Sequence, residues 1–220
     1  QWHCVHKLID SARTGAKLQN YLIQHSAGSG KSNSIAWLAH RLSNLHDEND
    51  VKVYNTVVVL TDRVVLDRQL QETIYQFDHK DGVVQKIDEN STQLAQALAT
   101  GVPIIISTIH KFGFIQDKID TIPDRRYAVI VDEAHSSQSG EMATAVKEAL
   151  ASSEVAKQLA EEGEGLSVTD QMALRSALFR KRQPNMSFFA FTATPKFKTL
   201  EMFGHRDEEG KPRPFHLYSM

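Results

Sequence analysis

The stretch YLIQHSAGSGKSNSIAWLAHRL, Tyr21 to Leu42, decides the fold. It opens on a short run of strand character, YLIQ from Tyr21 to Gln24, and passes through HSAGSGKS, His25 to Ser32. Beyond it Ile35, Leu38, Leu42 and Leu45 recur at steps of three and four, which predicts a helix from Lys31 to about His46 with one apolar stripe. A glycine-containing loop between a strand and a helix N-terminus is an anion cradle, because its backbone N–H groups converge and the helix end adds partial positive charge. Gly28, Ser29 and Gly30 form the cradle, Lys31 can reach terminal phosphates, and the Ser32 hydroxyl can ligate Mg²⁺. The strict phosphate-loop pattern begins with glycine, and His25 stands in that place; the looser form A/S-x-G-x-G-K-S/T is matched. The plainer reading is a tight strand-to-helix turn made by Gly28 and Gly30.

Working outward, Val- and Ile-rich runs recur between helical patterns: TVVVLT (Thr56 to Thr61), GVVQKI (Gly82 to Ile87), VPIIIS (Val102 to Ser107), YAVIVD (Tyr127 to Asp132) and SFFAFT (Ser187 to Thr192). Helices are expected from Arg63 to Gln76, with Asp62 as its cap, and from Ser91 to Ala99, ended by Gly101. The alternation predicts an α/β, doubly wound, mostly parallel sheet with helices on both faces. Gly140 to Met186 is too long for one crossover, so a helical insert is expected there, with one helix from Ala143 to Glu162 and another from Val168 to Arg182. Residues 1–203 then form one domain. The polar, proline-containing segment after Gly204 reads as a connector leaving it.

Composition fits a globular chain with a buried core. It has 25 Lys plus Arg against 27 Asp plus Glu, a net charge of −2, and 41% hydrophobic residues. A single cysteine, Cys4, excludes an intramolecular disulfide and suits a reducing, cytoplasmic compartment. No run is long and apolar enough for a membrane span, and the beginning at Gln1 reads as a piece of a longer chain. His3, Cys4 and His6 lack a second ligand pair at zinc spacing. The basic run Arg180 to Arg182, with Lys196 and Lys198, is a solvated helix end or a DNA-touching patch.

VIVDEAH, Val129 to His135, is an apolar strand ending in adjacent carboxylates. Asp132, at the ligand-binding edge of the sheet, can hold Mg²⁺ through water, leaving Glu133 to orient and deprotonate an attacking water. FTATP, Phe191 to Pro195, ends the sixth predicted strand, where the hydroxyls flanking Ala193 can bond the carboxylates or His135.

Together, Gly28 to Ser32, Asp132 to His135 and Thr192 to Thr194 resemble motifs I, II (DEAH form) and III of superfamily 2 helicases and translocases, RecA-like P-loop NTPase domains. VVVLTDRVVLDRQL (Val57 to Leu70), ISTIHKF (Ile106 to Phe112), VIVDEAHSSQSG (Val129 to Gly140) and FFAFTATPKFKTLEMFG (Phe188 to Gly204) resemble, more narrowly, the R subunit of type I restriction enzymes. That resemblance implies ATP and Mg²⁺ as cofactors and Lys31, Asp132, Glu133 and His135 as catalytic residues. It implies Gln1, Gly28, Ser29, Gly30, Lys31 and Ser32 at the nucleotide, with Gln1 reading adenine, and metal ligation by Ser32 and Asp132. Coupling falls to Thr192, Ala193 and Thr194, and contact with double-stranded DNA to Thr61, Asp62, Arg63, Ser107, Thr108 and Lys111. The implied activity is ATP-driven DNA translocation, with methylation and specificity subunits as partners and a nuclease domain and second motor domain elsewhere in the polypeptide. The alternatives are another superfamily 2 helicase or remodeller, and a nucleotide-dependent DNA-binding module without turnover.

Overall fold

The computed structural model of the chain describes residues 1–14, 19–26, 28–61, 64–76, 82–115, 125–134, 139–181 and 183–218. Helix α1 (Trp2–Thr14) leads into β1 (Tyr21–His25), followed by α2 (Lys31–Ser43), β2 (Thr56–Thr61), α3 (Val64–Gln76), β3 (Val84–Lys86), α4 (Ser91–Thr100) and β4 (Ile104–Thr108). A 3₁₀ helix (Ile109–Phe114), β5 (Tyr127–Val131), α5 (Ser139–Ala149), α6 (Ser153–Gly163), α7 (Val168–Arg180), β6 (Met186–Thr192) and α8 (Phe197–Phe203) follow. The short strands β7 (His205–Arg206), β8 (Pro212–Arg213) and β9 (His216–Tyr218) close the described chain.

Seven of these strands form one sheet in the order β3-β4-β2-β5-β6-β1-β9, and each neighbouring pair is parallel. Successive strand residues point to opposite faces, so each central strand feeds two cores. Val57, Val59, Ile104, Ile106, Ile130, Phe189 and Phe191 pack on one side against Leu8 of α1, Leu38 and Leu42 of α2 and Ile74 of α3. Val58, Leu60, Ile105, Val129, Val131 and Phe188 pack on the other side against Leu94 and Leu98 of α4, Val146 of α5 and Phe203 of α8. This double burial is why the strands read as unbroken apolar runs. Helix α4 ends at Gly101, as expected, with φ 78°, and it starts where the Asn90 side chain accepts from the Thr92 and Gln93 amides at 2.9 and 3.1 Å.

The structure corrects two expectations. The single helix predicted from Ala143 to Glu162 is two, because the Ser152 side chain caps a new helix by accepting from the Val155 amide at 3.4 Å. Helix α5 belongs to the core, since Ala143, Val146 and Ala149 are buried against the sheet. The segment read as a connector after Gly204 instead turns back. β7 and β8 pair antiparallel, and β9 lies beside β1 with Ile23 opposite His216 and His25 opposite Tyr218. Among the described residues no helix is long and apolar enough to cross a membrane.

Candidate functional site

The site is built at the carboxyl ends of the adjacent strands β5, β6 and β1. Val131 lies opposite Ala190, and Gln24 opposite Thr192, so the three strands end nearly level and their loops meet. Beyond β1, Gly28 and Gly30 take φ values of 75° and 80°, which an L side chain rarely adopts, so glycine is required at both turns of the loop. Gly30 precedes α2 without any side-chain cap, and the first amides of that helix are left to whatever the loop holds. A cavity of about 400 Å³ lies there, lined by Gly28, Gly30, Lys31, Ser32, Glu133 and Ala193 among others.

The Lys31 ammonium sits on the two adjacent carboxylates, 2.9 Å from Asp132 Oδ1 and hydrogen-bonded to Glu133 Oε1. Asp132 is buried, and its amide donates to the Leu60 carbonyl at 3.0 Å. Burial raises its carboxyl above the usual carboxylate range, against the pull of Lys31. Glu133 has φ 54°, a left-handed conformation strained for a residue with a Cβ. Its amide donates to Asp132 Oδ1 at 2.9 Å. The next amide, of Ala134, donates to the Phe191 carbonyl at 2.9 Å, which ties the acidic turn to β6. At the end of β6, Thr192 is buried, Thr194 is exposed, and the Thr192 hydroxyl oxygen accepts from the Thr194 amide at 3.2 Å, while Ala193 reaches the cavity.

Gln1 also reaches the loop. Its side-chain amide donates to the Ser29 carbonyl at 3.0 Å, and a Cβ on Gly30 would collide with it. Asn33 and Thr73 line the cavity too; no local pattern singles them out.

A family model described as SWI2/SNF2 ATPase matches residues 1–156. The chain belongs to the SWI2/SNF2 ATPase family. Among curated proteins it is 31% identical over 202 residues to the type I restriction enzyme SsaAORF53P endonuclease subunit of Staphylococcus saprophyticus, covering 90% of this chain and 17% of that one. It is 29% identical over 180 residues to a putative type I restriction enzyme MjaIXP endonuclease subunit of Methanocaldococcus jannaschii, covering 79% of this chain and 13% of that one. The resemblance to type I restriction R subunits is therefore met among the relatives, and this chain spans less than a fifth of their length. The helicase domain of Pyrococcus furiosus Hef shares the fold, with a TM-score of 0.55 at 13% identity over 91% of this chain and 34% of that one.

In this SWI2/SNF2 ATPase domain the residues expected to meet DNA lie at the same sheet edge, where Thr61 of β2 is opposite Thr108 of β4. Thr61 and Ser107 are buried, so their side chains face inward; Thr108 is half-buried and the Lys111 ammonium donates to the Ile87 carbonyl. Asp62, Arg63 and His135 lie outside the described residues.

Beneath the phosphate loop of this ATPase, fully buried His25 is pushed from 6.5 down to about 4, chiefly by burial and further by positive charges nearby, Lys31 among them. The consequence for stability has a definite sign. Above pH 6.5 neither the folded nor the unfolded chain holds the extra proton; toward about pH 4 the unfolded chain binds one that the fold refuses. Stability due to His25 therefore falls as pH drops through that window. The raised Asp132 carboxyl works in the opposite sense, gaining as pH falls. The difference between wild type and His25→Asn isolates the histidine. The wild-type thermal transition of this domain is expected to drop between pH 6.5 and 4 by on the order of a few °C more than the variant's.

Proposed function

We propose that this ATPase domain is the first RecA-like motor domain of a type I restriction R subunit, binding MgATP and contacting duplex DNA as part of a translocase. The observation that carries the reading is the convergence of the phosphate loop, the Asp132–Glu133 turn and Ala193 at three adjacent strand ends, with Lys31 held on both carboxylates. In this reading ATP phosphates enter the cavity and draw the Lys31 ammonium away from Glu133. Backbone N–H groups of the loop and of the uncapped α2 N-terminus receive the phosphate oxygens. Glu133, released from Lys31, orients the attacking water and accepts its proton, and the fixed charges stabilise a loose transition state.

The donor set fits Mg²⁺, a hard cation that takes oxygen ligands, because Ser32 brings a hydroxyl to the cavity lining and the Asp132 carboxylate lies 2.9 Å from Lys31, which lines the same cavity. When bound it neutralises charge on the phosphate oxygens. The adenine-reading role is given to Gln1, whose side-chain amide already donates to the Ser29 carbonyl of the loop. Thr192, Ala193 and Thr194 pass the state of the site to the rest of the motor. The DNA phosphates are met by backbone groups at the ends of β2 and β4 with Thr108 and Lys111, and such contacts carry no sequence information. Site choice then belongs to the specificity subunit, and the arginine that completes the transition state to a second motor domain.

The test uses the full-length polypeptide assembled with its methylation and specificity subunits. Double-stranded DNA is expected to raise steady-state ATP hydrolysis, and raising salt from about 50 to 200 mM to weaken the half-saturating DNA concentration by orders of magnitude, as phosphate contacts require. Nucleotide binding with no turnover on any DNA would put a non-hydrolysing module in its place. Strand separation without translocation would point to a helicase.

A further inference from the structure

His25 occupies the place where the strict phosphate-loop pattern has glycine, and it is fully buried. Both ring nitrogens are engaged. Nδ1 is hydrogen-bonded to the Ser29 hydroxyl between the two loop glycines, and Nε2 lies 3.1 Å from the Ser34 hydroxyl in the first turn of α2. The Ser29 hydroxyl in turn donates to the Ser26 carbonyl, so the ring, Ser29 and Ser26 make one chain of bonds across the base of the loop. The Ser34 hydroxyl lies 3.4 Å from the Gly30 carbonyl, at the other side of the same loop. Strand β9 seals the arrangement. The Tyr218 ring lies 4.6 Å from the imidazole, centroid to centroid, and its carbonyl accepts the Ser26 amide at 3.1 Å.

Because the Ser29 hydroxyl gives its proton to the Ser26 carbonyl, Nδ1 donates to Ser29, and a neutral ring then accepts from the Ser34 hydroxyl at Nε2. The depressed affinity of this ring for a proton is consistent with that. A glycine at position 25 could not make either bond. The loop's shape would then rest on Gly28 and Gly30, whose freedom makes the anion-binding arrangement one of several open to it.

We propose that His25 is the positioning residue of the phosphate loop: a buried brace from Ser29 to Ser34, clamped by Tyr218 of the last strand, that holds the loop in its phosphate-receiving form before nucleotide arrives. The inference rests on reading the cavity as a nucleotide site. It adds that strand β9 is fastened to that site through the imidazole.

Asparagine places its terminal atoms where Nδ1 stands and so keeps a partner for Ser29; leucine fills much of the volume with no polar atom; glutamine reaches only toward the Nε2 position. In the full-length protein, His25→Leu is expected to weaken binding of a non-hydrolysable ATP analogue with Mg²⁺ about tenfold, the effect of losing one buried hydrogen bond. His25→Gln should fall with it, and His25→Asn should recover to within about threefold of wild type. Amides 26–30 should exchange hydrogen faster in His25→Leu while those of β2 and β5 do not change. Equal affinity for His25→Leu and wild type, or no difference between the asparagine and glutamine variants, would reduce His25 to a packing residue. If His25→Leu does not fold, the asparagine and glutamine pair still decides. Lys31→Ala separates the two claims: a full-affinity Lys31→Ala overturns the nucleotide site itself, whereas its loss beside an intact His25→Leu overturns only the brace.

Discussion

Lys31→Ala is expected to lower affinity for MgATP by roughly 10- to 150-fold, read by calorimetry, because charge-assisted hydrogen bonds to a phosphate are worth about 1.5–3 kcal/mol. The structure gives a reason for the upper part of that range. The Lys31 ammonium is the group that lies on both Asp132 and Glu133, 2.9 Å from the first. Without it, incoming phosphates meet two carboxylates that have lost the cation shared between them, and repulsion adds to the lost attraction. Arginine is not an equivalent replacement, since its planar fork cannot sit as a point charge between two adjacent carboxylates and then on phosphate oxygens. Circular dichroism of the variant should remain that of the folded domain, because Glu133 is partly solvated and a proton can neutralise buried Asp132, whose carboxyl burial has already raised. Unchanged affinity in a folded Lys31→Ala variant would mean that the loop does not bind phosphate.

How far the fold and the site could be read from residues alone depends on the range of the interactions involved. Thr56–Thr61 and Tyr127–Val131 announced themselves because strands buried on both faces carry apolar side chains at every position. The end of α4 at Gly101 was equally plain, since a left-handed residue there needs no partner from elsewhere. Strand β9 stayed hidden. It has only 3 residues, sits at the sheet edge with Leu217 59% exposed, and is defined by pairing with residues nearly 200 positions away. The split between α5 and α6 was missed because Ala, Glu and Leu favour helix on both sides, and one Ser152 hydroxyl decides the break. In the site, the order of the loop and the acidic turn along the chain was legible, and the structure brings Lys31 onto Asp132 and Glu133. The residues expected to meet DNA were legible only as loop ends, and nothing local told that Thr61 and Ser107 turn inward. His25 read as a flaw in a pattern, since its partners Ser29 and Ser34 are neighbours in sequence but its clamp, Tyr218, is not.

Glu133→Gln is expected to keep MgATP binding within about threefold of wild type and to lower DNA-stimulated hydrolysis by the full-length protein about 10²- to 10⁴-fold, the usual contribution of a positioned general base. The two effects separate because of where the residue stands. Its carboxylate lines the cavity beside Ala193, whereas its backbone, not its side chain, ties the turn to Asp132 Oδ1. Glutamine preserves that backbone bond and the left-handed φ of 54°, which costs the same for either side chain. It also loses the ion pair with Lys31, so the ammonium is freer to meet phosphates and binding has no reason to weaken. What glutamine cannot do is accept a proton from water. A left-handed, strained residue at a strand end, held by its neighbours' hydrogen bonds, is a place where backbone cost is retained for the sake of side-chain aim. Single-turnover measurements distinguish the outcomes: a slow chemical step with normal nucleotide association supports Glu133 as the base. Hydrolysis within about threefold of wild type would assign the proton to another group.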